Sequence, residues 1–394
     1  MVRGRMILAL ILAPSAAFAQ ALSAGGALGP SLPPPLPIAQ ENGGTGVDTP
    51  ALVHWHACMA GVQAGAGSCT VVYMGDSTVY GWTGAAMTQQ NVTYWLAHDL
   101  SAGGVNALNA GVCGVSNGSL GGSRYTYDTR FANNGWAESP WTTLGGEAFS
   151  AATASPGSTL VFTPGFAANM FNVVYPGTST GGTYSVTATG GSAVTANSAQ
   201  VNALYTATAT APSLSAANTL TLDVTAPGAK ALCVEAYNSG AASVNIINAG
   251  FGGSNVTQWV ADTNPWDSLQ TLQYLKPALT VIEAGLNEPG QGVSVATFTA
   301  DLQQVIAAAQ AVGDVVLVTG NPQATAAIHA PYMAAMRQLA AQDGIPVLSV
   351  DLRWGTQARA AATSPAMMNA GETVHPNAVG YADIAAALAK MLEQ

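Results

Sequence analysis

Charged side chains are scarce in this chain, and their scarcity excludes several classes of function. Only 8% of the 394 residues are charged, and 10 Lys and Arg against 20 Asp and Glu give a formal net charge of −10. Nucleic acids and anionic membranes are bound through basic patches, so we expect neither as a partner. Because 49% of the residues are hydrophobic, the chain can still bury a sizeable core.

Long apolar runs and metal-binding patterns are also missing. The apolar stretch at residues 6–13 is too short to span a bilayer, and no later segment resembles a transmembrane span. No CxxC pair or His/Cys cluster indicates zinc, and we expect neither a metal nor a cofactor. The four cysteines fit an oxidising compartment. Cys58 and Cys69 could close a small loop, leaving Cys113 to pair with Cys233, although four cysteines allow three connectivities.

The N-terminus has the pattern of a signal peptide. Arg3 and Arg5 precede the short apolar stretch, and the Ala-Phe-Ala at 17–19 fits the small-x-small cleavage rule. We therefore predict a signal peptide over residues 1–19 and a secreted or periplasmic protein. Residues 20–49 are rich in Pro and Gly and are predicted to form an extended linker.

From residue 69 onward, short apolar runs alternate with helical patterns. This alternation favours a parallel sheet covered on both faces, here a three-layer α/β/α sandwich with a five-stranded parallel sheet. We predict this domain over residues 50–149 and 239–394. The predicted strands are residues 70–74, 244–248, 279–283, 315–319 and 345–350, and the predicted helices are residues 85–102, 267–274, 295–311, 326–341 and 378–392.

Residues 150–238 break the alternation. They are rich in Thr, Ser, Ala, Gly and Val, and their only charged residues are Asp223, Lys230 and Glu235. Short apolar runs separated by turn residues are typical of antiparallel strands. We therefore predict an inserted all-β sandwich domain over residues 150–238.

The first candidate catalytic residue is Ser77, in the sequence Met74-Gly75-Asp76-Ser77-Thr78. It directly follows a predicted buried strand, and ligands bind at the C-terminal ends of strands in open α/β sheets. Gly75 permits the tight turn that would expose the serine hydroxyl.

The second candidate is His375, which precedes the last predicted helix. A serine hydroxyl needs a neighbouring base to become nucleophilic, and imidazole suits that task at neutral pH. Pro376 favours a first helical turn, which would hold His375 at the helix entrance. Glu372, three residues before the histidine, can orient the imidazole with its carboxylate.

Two further stretches could stabilise a developing oxyanion. Asn287 follows the predicted strand 279–283 and can direct its amide donor at the reacting oxygen. Gly253 follows the predicted strand 244–248, and glycines there leave backbone N–H groups accessible. A similar glycine block ends at Gly114 and remains an alternative. We favour Gly253 because a predicted strand leads directly into it.

These four blocks, in this order, resemble the SGNH (GDSL-like) hydrolase superfamily from residue 69 to the C-terminus, apart from the insert. The resemblance implies a flavodoxin-like fold and a serine esterase with Ser77 as nucleophile and His375 as base. It also implies an oxyanion hole formed by the backbone N–H groups of Ser77 and Gly253 and by the Asn287 amide.

Two departures from the family pattern and one competing motif bear on these assignments. The family's aspartate before the histidine is Glu372 here, so a longer side chain would have to orient His375. The block that contains Asn287 continues with Glu288 instead of aspartate. A Gly-x-Ser-x-Gly match around Ser116 is not followed by the helix that a nucleophile elbow requires, and is not favoured.

We therefore predict a secreted serine ester hydrolase that forms an acyl-enzyme and removes O-acetyl or other short acyl groups from a carbohydrate. Its partner would be an acylated small molecule or polysaccharide. Trp82, Trp136 and Trp141 could stack on sugar rings, although buried packing is the commoner role of tryptophan. Two alternatives stay open: an acyltransferase that modifies a polysaccharide, and a non-catalytic carbohydrate-binding or scaffold protein.

Overall fold

The structure is a computed structural model that describes residues 52–84, 87–115, 123–151, 155–261 and 263–393. The predicted signal peptide, the predicted linker and the competing serine Ser116 lie outside the described residues. None of the helices in the described ranges has both the length and the apolar content that a bilayer crossing requires.

The strands and helices are numbered in chain order. The strands are β1 (Cys69–Gly75), β2 (Ala107–Cys113), β3 (Phe131–Asn134), β4 (Ala137–Thr143), β5 (Gly146–Ala151), β6 (Thr159–Phe162), β7 (Ala168–Gly177), β8 (Thr183–Ala188), β9 (Val194–Asn197), β10 (Ala203–Ser215), β11 (Leu220–Ala226), β12 (Ala229–Ala231), β13 (Cys233–Tyr237), β14 (Val244–Gly250), β15 (Leu279–Ala284), β16 (Asp314–Thr319) and β17 (Val347–Leu348). The helices are α1 (Val53–Gln63), α2 (Ser77–Tyr80), α3 (Val92–Ala102), α4 (Arg124–Tyr127), α5 (Val256–Trp259), α6 (Ser268–Leu275), α7 (Val295–Gln310), α8 (Ala326–Asp343), α9 (Val350–Trp354), α10 (Gln357–Ala362) and α11 (Ala378–Leu392).

Nine of the described strands form one mixed sheet, in the order β10-β7-β13-β2-β14-β1-β15-β16-β17. Six neighbouring strands of this sheet are parallel to one another, namely β2, β14, β1, β15, β16 and β17. Strands β13, β7 and β10 continue the same sheet in antiparallel orientation. The predicted five-stranded parallel sheet is therefore corrected to a larger mixed sheet, with β2 as an additional parallel strand.

Strand β2 was missed because Asn109 and Gly111 interrupt its apolar residues. A Cβ atom at Gly111 would overlap the carbonyl oxygen of Val234 on β13, so the glycine permits the close approach of that strand. Strand β13 then covers the edge of β2, which would otherwise expose unpaired backbone groups. The additional parallel strand and the antiparallel extension of the sheet thus have one cause, the pairing of β2 with β13.

Alternate residues of β1 point to opposite faces of the sheet, and helices cover each face. Val71 and Tyr73 pack in one core with α1, α3 and α11. Val72 and Met74 pack in a second core with α6, α7 and α8. The parallel half of the sheet is therefore the middle layer of an α/β/α arrangement.

The remaining antiparallel strands form a five-stranded sheet, β3-β6-β11-β8-β9, and a small sheet, β12-β5-β4, within the described residues. Phe162 and Tyr184 of the five-stranded sheet share an apolar core with Phe171 and Val173 of β7. One layer of the predicted inserted sandwich is thus continuous with the central sheet, which corrects the expectation of a separate all-β domain. The antiparallel strands also begin at Phe131, upstream of the predicted boundary at 150.

Two disulfides join Cys58 to Cys69 and Cys113 to Cys233, which is one of the three connectivities that the sequence left open. Cys113 and Cys233 are directly paired residues on β2 and β13. This disulfide therefore fastens the antiparallel extension to the parallel sheet.

Candidate active site

Three neighbouring parallel strands end at one edge of the sheet and carry candidate residues there. Strand β1 leads to Ser77, β14 leads to Gly253 and β15 leads to Asn287. Strand β1 lies between the other two. Because the C-terminal ends of parallel strands share one edge, the three loops meet although they are far apart in sequence.

Ser77 is the first residue of the short helix α2 and is only 3% exposed. The Asp76 side chain caps this helix by accepting a hydrogen bond from the Thr78 backbone N–H over 2.9 Å. A Cβ atom at Gly75 would lie 3.0 Å from the carbonyl oxygen of Glu283. Glycine at this position therefore lets β15 pack closely against the turn that carries Ser77.

The Ser77 Oγ and the His375 Nε2 are 2.9 Å apart, within hydrogen-bond distance, although 298 positions separate the residues in sequence. His375 lies in the loop before α11, and the Asn377 side chain caps that helix by accepting two backbone N–H groups. Because α11 begins at Ala378, Pro376 precedes the cap and does not occupy the first helical turn that the sequence suggested.

The surroundings of His375 favour a neutral imidazole. The residue is 9% exposed, and burial lowers the pKa of His375 below its usual 6.5, although the nearby Glu372 carboxylate opposes the shift. The half-buried Trp82 ring lies edge-on to the imidazole, with 6.2 Å between the ring centroids. A neutral imidazole at neutral pH is the form that can accept a proton from a serine hydroxyl.

The Glu372 carboxylate lies beside His375 without a close hydrogen bond to it. Its Oε1 is 3.4 Å from the His375 Nδ1, which has no hydrogen-bond partner among the described residues. The same oxygen accepts the backbone N–H groups of Thr373, Val374 and His375 over 3.0, 2.8 and 3.1 Å. Burial raises the pKa of Glu372, but these donors and the histidine outweigh burial and leave the pKa below its usual value. The carboxylate therefore holds the histidine loop in shape and places a negative charge near the imidazole.

The two rival glycines differ in whether their backbone N–H is free. The Gly114 N–H donates to the Leu232 carbonyl over 2.9 Å, and Gly114 follows β2, which does not adjoin β1. Gly253 follows β14, the direct neighbour of β1. Within the described part of the chain, neither the Gly253 N–H nor the Ser77 N–H has an acceptor. The geometry therefore favours Gly253 as a donor to a bound oxygen.

The Asn287 side chain is held by the loop that carries Gly253. Its Nδ2 donates to the Ser254 carbonyl over 2.9 Å, which leaves the second amide hydrogen for another acceptor. The next residue, Glu288, is 1% exposed, and its Oε1 accepts the Val256 N–H over 3.1 Å. Burial raises the pKa of Glu288 to about 7. Glu288 therefore links the Asn287 loop to the Gly253 loop.

A buried polar cluster behind Ser77 was not predicted from the sequence. It contains Tyr73, Asp76, Thr78 and Glu283, none more than 2% exposed, and we call it the Glu283 cluster. The Thr78 hydroxyl contacts the Asp76 Oδ1 over 3.0 Å and also contacts the Glu283 Oε1. The Tyr73 hydroxyl donates to the Glu283 Oε2 over 3.1 Å. A glutamate at the end of an otherwise apolar strand was the signal that could have revealed it.

The three tryptophans considered for sugar contacts differ in position. Trp82 lies beside His375, as described above. Trp136 is 4% exposed and packs in the antiparallel core, so it is not available to a ligand. The side chain of Trp141 lies outside the described residues.

Comparison with protein-family models matches residues 221–382 to the GDSL-like Lipase/Acylhydrolase family. The matched residues make up less than half of the chain. The match confirms the resemblance to SGNH hydrolases, and the GDSL-like chain is a serine carboxylic ester hydrolase. The matched residues include Asn287 and His375 but not Ser77, which lies before the antiparallel segment. No curated protein sequence matches this GDSL-like hydrolase.

The chain was also compared with solved structures. A peptidoglycan O-acetylesterase is similar with a TM-score of 0.66 and 17% sequence identity, over 86% of this chain and 95% of that chain. An acetylxylan esterase from Geobacillus stearothermophilus has a TM-score of 0.32 and 17% identity, over 39% and 74% of the two chains. A lipase/acylhydrolase from Enterococcus faecalis has a TM-score of 0.31 and 18% identity, over 38% and 76%. The first similarity establishes the fold, and the other two, with low TM-scores, add nothing to it.

Proposed function

We propose that this protein is an exported carbohydrate esterase that removes O-acetyl or other short acyl groups, with Ser77 as nucleophile and His375 as general base. The observation that carries the proposal is the 2.9 Å contact between the Ser77 Oγ and the His375 Nε2. A serine–imidazole pair at this distance is the arrangement that activates a hydroxyl for acyl transfer.

In the first half of the reaction, the Ser77 Oγ attacks the ester carbonyl carbon while its proton passes to the His375 Nε2. The tetrahedral intermediate then collapses, the alcohol takes the proton from His375, and the acyl group remains on Ser77. In the second half, water attacks the acyl-enzyme with His375 again as base. The carboxylic acid leaves, and the Ser77 hydroxyl is restored.

The negative oxygen of each tetrahedral intermediate needs donors that are already in place. The backbone N–H groups of Ser77 and Gly253 and the second amide hydrogen of Asn287 supply them in this proposal. Support comes from the lack of acceptors for both backbone groups among the described residues and from the anchoring of Asn287 by the Ser254 carbonyl. Donors fixed before the reaction cost little reorganisation in the transition state.

Glu372 is the orienting carboxylate in this proposal, although it contributes less than a carboxylate that is hydrogen-bonded to the His375 Nδ1 would. Its oxygen lies 3.4 Å from the His375 Nδ1 and is already shared among three backbone N–H groups. It stabilises the imidazolium form mainly through its charge, since a close hydrogen bond to Nδ1 is not made.

A carbohydrate ester is the proposed substrate class. The protein similar over 86% of this chain is a peptidoglycan O-acetylesterase. Trp82, half-buried beside His375, is the type of side chain on which sugars stack. The two disulfides and the predicted signal peptide over residues 1–19 support export to an oxidising compartment.

Acetate release from acetylated peptidoglycan and acetylated xylan tests the proposal, together with labelling by a serine-directed fluorophosphonate. We expect both in the wild-type protein and neither in Ser77→Ala, whose rate should fall about 10³-fold or more. Ser198→Ala is the matched control, because the Ser198 hydroxyl is buried in the antiparallel region without a partner among the described residues. Labelling that persists in Ser77→Ala would refute the assignment, and acyl transfer to a saccharide without acetate release would identify a transferase.

A further inference from the structure

The Glu283 cluster must satisfy its hydrogen bonds internally, because its side chains are sealed from solvent. The Tyr73 hydroxyl donates to one oxygen of Glu283, and the Thr78 backbone N–H donates to the Asp76 Oδ1. The Thr78 hydroxyl oxygen lies within bonding reach of both carboxyl groups.

A count of hydrogens shows that the two carboxyl groups cannot both be ionised in this geometry. A threonine hydroxyl carries one hydrogen and can donate to only one acceptor. With Asp76 and Glu283 both ionised, one of the two contacts of Thr78 would bring two oxygens together with no hydrogen between them. A proton on one carboxyl group removes the conflict, because that group donates to Thr78 and Thr78 donates to the other.

We propose that Glu283 is a positioning residue that holds the turn around Ser77 as a neutral carboxylic acid. Glu283 donates to the Thr78 hydroxyl, Thr78 donates to Asp76, and Asp76 remains ionised as the cap of α2. This chain of donors fixes the residues on both sides of Ser77. The inference rests on the proposed role of Ser77 as nucleophile.

The surroundings of the two acids place the proton on Glu283. Burial raises the pKa of Asp76 to about 6, opposed by the Thr78 backbone N–H. Burial and the charge of Asp76 raise the pKa of Glu283 to about 8. The titratable groups that face Glu283 are Asp76 and Tyr73 from the β1 side and Tyr381 from α11, and none of them is cationic.

The remaining neighbours do not alter this assignment. The paired residue on β16 is the apolar Val318. The charge of Asp76 contributes to the raised pKa of Glu288, on the loop that follows β15, and Glu288 brings no positive charge to the cluster. The cluster therefore carries a single negative charge at neutral pH, on Asp76.

A neutral Glu283 also matters for the chemistry proposed at Ser77. The oxyanion would develop beside the Ser77 backbone, and a second negative charge behind that residue would oppose it in a site of low dielectric constant. Ionisation of Glu283 at alkaline pH would both add that charge and remove the donor to Thr78.

Infrared spectroscopy of the purified protein tests the protonation state without any turnover. At pH 7 we expect a carbonyl band of protonated carboxylic acid in the wild type. The Glu283→Gln variant should lack the intensity that Glu283 contributes to this band. A Glu288→Gln variant identifies the part of the band that belongs to Glu288, an acid outside the cluster whose pKa is raised to about 7. Glu235→Gln is the matched control, because Glu235 is a partly buried carboxyl on β13, away from Ser77.

The rate of p-nitrophenyl acetate hydrolysis tests the positioning role. Glu283→Ala removes the donor to Thr78 and should lower kcat/KM about tenfold to a hundredfold. Glu283→Gln should restore most of this loss, because its amide can donate to Thr78 while its oxygen accepts from Tyr73. The wild-type rate should fall as pH rises above about 8, whereas the glutamine variant should lack this decline.

Three results would overturn the inference. An unchanged carboxylic acid band in Glu283→Gln would show that Glu283 is ionised. A glutamine variant as inactive as Glu283→Ala, with native circular dichroism, would show that a neutral donor is not what the site needs. An alkaline decline shared by wild type and Glu283→Gln would assign it to another group. The infrared result is independent of catalysis, whereas Ser77→Ala tests the proposed function. Failure of the inference about Glu283 can therefore be distinguished from failure of the proposed function.

Discussion

The two glutamates on either side of the Ser77–His375 pair lie in opposite environments. Glu372, in the loop that carries the histidine, accepts three backbone N–H groups, and its pKa is lowered. Glu283, in the strand behind the serine, is sealed among hydroxyl groups, and its pKa is raised to about 8. The comparison teaches that donors and burial, not residue type, decide where a catalytic site holds charge.

The largest expected effect lies on the Glu372 side of the comparison, at the histidine itself. His375→Ala removes the proposed base, whose Nε2 is 2.9 Å from the Ser77 Oγ, and should lower kcat/KM about 10³-fold or more. Hydrolysis of p-nitrophenyl acetate measures the loss, with the exposed His98→Ala as control. A loss of less than about tenfold would remove His375 from the mechanism.

The next effect concerns the proposed oxyanion donors. Asn287→Ala removes one proposed oxyanion donor and should lower kcat about 10²-fold with a smaller change in KM. Asn264→Ala is the control, since the Asn264 Nδ2 donates to the Asp267 Oδ2 in another loop. Equal rates in the two variants would mean that the Asn287 amide only braces its loop.

Glu372→Gln sharpens the comparison directly, because it keeps an oxygen for the loop N–H groups and removes the charge. We expect a loss of about tenfold, well below that of His375→Ala. The carboxylate raises the pKa of His375, so the acid limb of kcat/KM should move to lower pH in the variant. Glu283→Gln is the comparison variant and should leave the acid limb in place. An unmoved acid limb in Glu372→Gln would show that Glu372 acts on the loop alone.

The smallest effect is a pH-dependent difference in stability. The pKa of Glu283 is raised from 4.5 to about 8 in the folded protein, so its contribution is fully present below pH 4.5 and is lost as pH rises through about 8. Glu283→Gln cannot ionise, so its Tm relative to wild type should rise by about 2 °C or more between pH 5 and pH 9. Thermal unfolding followed by circular dichroism measures it, and a constant difference would contradict the raised pKa.

Much of the parallel half of the fold could be predicted because its signals are local. The last predicted helix, 378–392, has the bounds of α11, and the predicted strand at 315–319 differs from β16 by one residue. Continuous apolar runs of strand length and helical periodicity are properties of neighbouring residues. The antiparallel extension and β2 could not be predicted in the same way, because Gly111 makes sense only once Val234 lies against it.

Some residues of the candidate site could also be selected from local sequence, whereas others depended on tertiary contacts. Ser77 and His375 could be selected because their blocks keep a recognisable order along the chain. The choice between Gly253 and Gly114 depended on which backbone N–H is already bonded, and Gly114 is bonded to a residue more than a hundred positions away. Asp76 and Thr78 of the Glu283 cluster belong to the Ser77 block, but no sequence motif connects them to Glu283.

The sequence by itself determined most segments of the parallel half and which serine and histidine are the candidates for acyl transfer. Only the tertiary structure decided that this serine and histidine meet and that the insert continues the central sheet. It also decided that Glu372 gains hydrogen-bond donors while Glu283 is buried. The physical reason is that hydrogen-bond partners and burial arise from contacts between distant residues, whereas helical and strand periodicity arises within a few neighbours.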